Sequence, residues 1–506
     1  MVIPTPVPQA AADPRRWKAL VFICLAQLMV VLDGTIVNIA LPSAQHDLGF
    51  SDADRQWVVT AYSLAFGGLL LFGGRIADLW GRKRAFITGV IGFAAASALG
   101  GAAVNTGMLL GARALQGVFG ALLAPAALSL LAVMFTEAKE RAKAFGIYGA
   151  IAGGGAAIGL LLGGVLTEYL NWRWTLLVNI FFAIAAAVGA FLLVHDPRAA
   201  RHSGRRLDVP GVLLATGGLV TLVYGFTRAE ADGWSAASTL GLIGGGLVLL
   251  TVFVVLERRV KAPLLPLRVV LDRNRGGAFL SLGIAVVGMF GLFLFLTFYL
   301  QIVLEFSPLL CGAAFLPMTA GMMIGATQIG TRLAPRVPAR LLLVPGFLLA
   351  AAGLAVLAQI TPDSSYAAVV MPGMFVMGTG MGTAMMPAMS LATHGIAPQD
   401  SGVASAMVNT SQQIGGAIGT ALLNTIAAGS TTAYTRGHAP ADPAAAGRLR
   451  LEAMVHGYST AIWWAAGLLV LAAAIAALLV DHDPRADANA TAAGEETGSR
   501  HPTTVG

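Results

Sequence analysis

Gly74-Arg75-Ile76-Ala77-Asp78-Leu79-Trp80-Gly81-Arg82-Lys83-Arg84 lies between two long apolar runs, 57–77 and 85–104. Charge this dense between two such runs marks a tight turn joining two membrane helices, since polar groups collect where a span reaches water. Gly74 and Gly81 allow close backbone approach and positive φ. Asp78 is placed to accept hydrogen bonds or to face a helix end. Arg82, Lys83 and Arg84 form a basic cluster of the kind retained on the cytoplasmic face.

The same alternation continues outward along the chain. Its 506 residues are 57% hydrophobic and 11% charged, with a mean hydropathy of +0.76, whereas a soluble domain carries about 25% charged residues. Apolar runs of 18 or more residues recur throughout, each long enough to cross a bilayer as a helix. The reading is an all-α polytopic membrane protein. Six spans are expected at 19–41, 57–77, 85–104, 108–134, 143–167 and 174–195. Two more follow at 209–228 and 237–257, and a last six at 276–301, 310–331, 340–360, 366–389, 403–427 and 459–480. The first run carries Asp33 and is too long for a signal-peptide core, so it is read as a retained helix. The domain plan is a cytoplasmic arm (1–18), a six-helix bundle (19–195), a linker with two inserted helices (196–275), a second six-helix bundle (276–480) and a disordered cytoplasmic tail (481–506).

Fourteen spans put both termini on one side. With those ends cytoplasmic, 25 of the 32 Lys and Arg residues fall on the inner side and 6 on the outer, with Arg113 inside a helix. This asymmetry fixes the orientation. It also accounts for a pI near 9.7 without a nucleic-acid partner. Cys24 and Cys311 lie in or beside apolar segments and read as packing residues.

Asp33 is the most informative single residue. It lies about 21 Å from the inner surface at 1.5 Å per residue, whereas every other acid falls in a loop, a tail or near a helix end. An Asp at that depth costs about 2.5–3.5 kcal/mol on insertion scales, which marks it as functional. Arg113, in a helix running inward, lies about 8–9 Å below the outer surface. In a hydrocarbon core of about 30 Å the two share one depth. They are expected to face one cavity, where Arg113 favours the charged carboxylate that burial disfavours.

Several motifs carry a resemblance. The spacing G-x-I-A-D-x-x-G-R-K-R at 74–84 resembles the loop between the second and third helices of the major facilitator superfamily, with Leu79 where that family has a basic residue. Leu32-Asp33-Gly34-Thr35-Ile36-Val37-Asn38-Ile39-Ala40-Leu41-Pro42 resembles the first-helix motif of its fourteen-helix drug:proton antiporters. Arg113-Ala114-Leu115-Gln116-Gly117 resembles the fourth-helix motif, whose Arg is tied to proton transfer. The fifth helix, with Gly155, Gly159, Gly163 and Gly164, resembles the motif associated with antiport, although Leu160 replaces its usual proline. Trp172-Arg173-Trp174 with Asn179 matches the pattern at the entry to the sixth helix. Gly330–Arg340 weakly repeats the opening stretch in the second half, as expected for two related six-helix halves.

The resemblance implies proton-driven export of amphipathic or cationic drugs by alternating access. The alternatives are a substrate:proton symporter of the same fold and a non-transporting sensor or assembly subunit. Asp33 is expected to carry the proton with Arg113 as its regulator, and the 74–84 loop to act as a conformational latch. Asn38, Gln116, Phe298, Met377, Met381, Asn409 and Gln413 are the cavity candidates, offering amides, a ring and adaptable thioethers. No zinc-ligand spacing, phosphate-binding loop or nucleophile–base set is visible in the sequence, so no cofactor, ATP or enzymatic activity is expected. The expected partners are protons, a small molecule and the bilayer of the cell membrane, with the monomer as the working unit.

Overall fold

The computed structural model describes residues 14–50, 52–135, 137–194, 208–260, 263, 265–334, 336–393, 395–396, 401–438 and 443–481. Most of the N-terminal arm, the basic linker 195–207 and the polar tail lie outside the described residues. The described residues form helices α1 (Arg16–Leu48), α2 (Asp52–Trp80), α3 (Arg82–Gly101), α4 (Thr106–Met134), α5 (Ala138–Tyr169), α6 (Trp174–Leu193), α7 (Val209–Asp232) and α8 (Ala237–Glu257). A short α9 (Leu267–Val270) leads into α10 (Arg273–Phe298), α11 (Pro308–Ala314), α12 (Leu316–Ile324), α13 (Thr331–Leu333), α14 (Arg340–Leu357), α15 (Met371–Ala392), α16 (Ser401–Gly437) and α17 (Pro443–Leu479).

Helical segments occupy all fourteen expected spans. Among the described residues eleven are long and apolar enough to cross a membrane. The other three expected spans fall in α5, α10 and α16, which have 32, 26 and 37 residues. At 1.5 Å per residue each exceeds the hydrocarbon thickness of about 30 Å. Starts are set by local chemistry. The Asn105 side chain accepts from the Met108 amide at 2.8 Å, and Asp208 and Asp272 do the same for α7 and α10 at 3.0 Å, satisfying N–H groups that have no intrahelical acceptor.

Three expectations on local structure are corrected. The stretch 74–80 is not a loop but the last two turns of α2, and only Gly81, at φ 103°, leaves the helix before α3 begins. The span 310–331 is broken into α11, α12, a π-helical segment (Gly325–Gly330) and α13, with Pro317 in the first turn of α12 at the first of these breaks. The last helix begins at Pro443 instead of 459, and α16 runs on to Gly437. Polar side chains there, such as the Arg448–Glu452 pair at 3.1 Å, lower the hydropathy without opposing the helix.

Helices α1–α6 pack on one another, and so do α10–α17. The two groups meet where α2 and α4 touch α16, and where α5 touches α11, α12 and α15. The inserted α7–α8 hairpin seats against α2 and α16, so that Leu71, Ala215, Leu219, Phe253 and Val403 share one apolar cluster.

Candidate functional site

Asp33 is fully buried inside the α1–α6 group, and its carboxylate takes three donors. Arg113 Nη1 donates to Oδ2 at 2.5 Å, while Gln116 Nε2 and Asn179 Nδ2 each donate to Oδ1 at 2.8 Å. Ser97 Oγ accepts from Gln116 at 2.7 Å and from Asn179 at 3.3 Å. Arg113 is anchored in turn. Its Nε donates to the Val58 carbonyl at 3.1 Å, Nη1 also reaches Gln116 Oε1 at 2.8 Å, and its guanidinium lies 4.5 Å from the Tyr62 ring centroid. Five helices (α1, α2, α3, α4 and α6) thus converge on one carboxylate. A buried charge without such partners is strongly unfavourable.

The fifth-helix glycines hold α1 in place beside this cluster. A Cβ at Gly155 would lie 3.0 Å from Val31, at Gly159 2.1 Å from Thr35 Oγ1, and at Gly163 3.0 Å from Ile36. These contacts bracket Asp33, and such close approach is what small residues at intervals of four permit. With Leu160 in the proline's place, α5 stays one continuous helix, and Leu160 is buried in the apolar cluster of the α10–α17 group.

A cavity of ≈ 1970 Å³ lies between the two helix groups. Asn38, Phe298, Met377, Met381, Asn409, Gln413 and Gly164 line it, and so do Arg113 and Tyr62. Asp33 does not. Arg113 reaches the cavity lining, but its side chain is only 2% exposed, so the two charges are enclosed together beside the cavity and do not both face it. Gln116, expected on the wall, sits wholly buried in the Asp33 cluster. The cavity opens where α5 and α16 end, with exposed Glu168 and Arg436 on its rim. At the opposite end the groups are closed. Met386 lies against Gly149, and Arg141 donates to the Thr393 carbonyl at 3.4 Å.

That closed end also carries the 74–84 stretch. Arg82 lies 3.7 Å from Asp78, and Lys83 donates to the Phe191 carbonyl at 2.8 Å, tying the start of α3 to α6. Arg75 is buried, Arg84 is exposed, and Gly74 is buried within α2. At the open end, Asp47 accepts from Arg173 Nη1 and from Trp172 Nε1 (3.0 Å), while Arg173 Nη2 reaches the Ala103 carbonyl at 2.9 Å. The Arg173 hydrogen bond, and then that of Trp172, holds the Asp47 carboxyl below the usual carboxylate range.

Sequence reasoning missed Ser97 and Tyr62, and noted Asn179 only as part of a motif. Their signal was depth. Ser97 lies four residues before the end of α3 and Asn179 five residues after the start of α6, which places both in the same layer of the bundle as Asp33.

A bundle of apolar helices in two groups around a central cavity, with a buried acid–base pair beside it, is the architecture of a secondary transporter, and residues 23–420 match the Major Facilitator Superfamily. The chain belongs to that family. It is 53% identical, over 98% of its length and 96% of the relative's, to the puromycin resistance protein pur8 of Streptomyces alboniger. It is 39% identical to the cephamycin export protein CmcT of Amycolatopsis lactamdurans, over 82% and 85% of the two chains. Among solved structures it resembles the human organic anion transporter MFSD10 (TETRAN), with a TM-score of 0.63 at 14% identity over 92% of this chain and 100% of that one. Its relatives are thus drug-resistance and export proteins of a transporter family.

Proposed function

We propose that this chain exports amphipathic small molecules across the cell membrane in exchange for protons, as a transporter and not an enzyme. Both termini are cytoplasmic and the single chain is the working unit. The observation that carries this reading is the enclosed Asp33–Arg113 pair, of which Arg113 reaches the cavity lining and Asp33 does not. With Asp33 ionised, the guanidinium is neutralised from behind, and an apolar molecule covers it at modest cost. A proton on Asp33 cancels the carboxylate and leaves the Arg113 charge uncompensated beside the cavity. Desolvating an uncompensated cation is expensive, so the same molecule then binds weakly. Proton and substrate therefore exclude one another without touching, and alternating access turns that exclusion into exchange. The resistance and export relatives support the direction.

The test uses inside-out vesicles and a drug selected by a susceptibility panel in a pump-deleted host. Asp33→Asn is expected to bind that drug but to lose uptake driven by a proton gradient, with Arg113→Ala also impaired. Drug-driven proton release at the wild-type rate from Asp33→Asn vesicles overturns the coupling.

A further inference from the structure

The cavity wall is two-sided. Asn409, Gln412, Gln413 and Asn424 recur along one face of α16, on the side where that helix packs on α2 and α4. Met318, Met377, Met381 and Met385 line the cavity from α12 and α15, other helices of the same group, the first three buried and Met385 half-buried. Carboxamides carry both donors and acceptors and no charge. Thioethers are polarisable, adaptable and favourable against aromatic rings.

Charge on the wall is sparse and unevenly placed. Among the described residues that line the cavity, the charged side chains are Arg113, Glu168 and Arg436, and the last two sit on the rim. Arg113 is itself 1% exposed and paired with the buried Asp33, so among these residues the deep wall presents no open charge and no acid. No acid other than Asp33 occurs in the middle of any span. A cation moved into this space leaves its hydration without gaining a carboxylate.

Resting on the export reading, we propose that the cavity selects uncharged amphipathic molecules with carbonyl and hydroxyl groups along one edge and a flat aromatic or polycyclic face on the other, and that organic cations are its poor substrates. The amide stripe takes the oxygen-bearing edge. Asn409 Nδ2 donates to the Ser405 carbonyl at 2.9 Å, which leaves its Oδ1 lone pairs and second N–H to serve a ligand. The methionine wall takes the ring face. The volume of ≈ 1970 Å³ is above the roughly 300–1,000 Å³ of ordinary ligand pockets, which suits large, rigid ring systems. The sequence admits cationic drugs as well, and the lack of an acid on the deep wall among the described residues narrows that class.

The test is a matched pair that differs in one charge: daunorubicin, whose amine is protonated at neutral pH, and its N-acetyl derivative, which is uncharged. In inside-out vesicles under a proton gradient, the N-acetyl compound is expected to accumulate at least about fivefold faster. Asn409→Asp, which adds an acid to the wall with little change of shape, is expected to shift the ratio toward the amine by roughly tenfold, the effect of a single ionic contact. Asn38→Asp serves the same purpose should Asn409→Asp not reach the membrane. Equal rates, a preference for the amine, or a ratio unmoved by the added acid overturn the inference and leave export standing. Correctly inserted protein that moves neither compound, nor any member of the susceptibility panel, overturns export and the inference together.

Discussion

Asn179 is the residue at which structural and functional roles divide most clearly. It donates to Asp33 and to Ser97 from the far side of the cluster and has no face on the cavity. A hydrogen bond to a charged group contributes about 1.5–3 kcal/mol. Asn179→Leu is therefore expected to slow proton-driven efflux by roughly tenfold or more while leaving drug affinity, read by binding to detergent-purified protein, within about twofold. Equal losses in binding and turnover would show instead that Asn179 holds the cavity's shape. The sequence made Asp33 and Arg113 readable because each is a costly charge alone at its depth. It did not make Asn179, Ser97 or Gln116 readable as their partners. Uncharged polar residues cost little in a helix, and their convergence depends on how five helices rotate about their axes.

At the scale of elements, the α1–α5 contact does for the site what the hydrogen bonds do for the carboxylate. The nearest atom to a Cβ at Gly159 is Thr35 Oγ1, at 2.1 Å, and the next is Leu32 Cα at 3.3 Å. A methyl there is blocked chiefly by a side chain that can be removed. Gly159→Ala is expected to lower the melting temperature and the efflux rate, and Thr35→Ala in the same chain is expected to restore both. Thr35 lines the cavity, so Thr35→Ala alone supplies the reference rate. A double variant no better than Gly159→Ala would mean that the backbone of α1, not Thr35, sets the distance. Helix existence was legible throughout, since hydropathy over 18 or more residues decides it. Helix ends were not. Residues 443–458 are helical but polar, and residues 74–80 are helical but charged, so a hydropathy boundary fell inside a helix in both places. The break at Pro317 was visible as a proline, yet whether a proline kinks a span or restarts it depends on packing partners.

At the scale of the whole molecule, the seat of the α7–α8 hairpin had no sequence signal. It follows from the apolar faces of α2 and α16 that α7 covers, with the Trp234 indole donating to Thr425 of α16 at 2.9 Å and Trp57 of α2 packed 5.6 Å from Tyr224. The charge pattern and the cavity, by contrast, meet in one claim about state. The basic segments cluster at the end where Arg141 and Met386 close the two groups together, and Glu168 and Arg436 mark the open end. If the basic end is cytoplasmic, as proposed, the open end of the cavity faces the outside. Reporter fusions near residues 202 and 267 are then expected to read inside and a fusion near 445 outside. In a background lacking Cys24 and Cys311, a cysteine at Thr432, on the cavity wall near its rim, should react with a membrane-impermeant thiol reagent added to intact cells. Cysteines placed together at Arg141 and Thr393 should be joined by a short bifunctional thiol reagent, and that bridge should stop turnover while leaving Thr432→Cys reactive from outside, because it holds the inner end shut. Reaction of Thr432→Cys only in inside-out vesicles, or an outside reading near 267, would reverse the orientation. Undiminished efflux from the bridged protein would show that the inner end does not need to open, and alternating access between these two helix groups would fail with it.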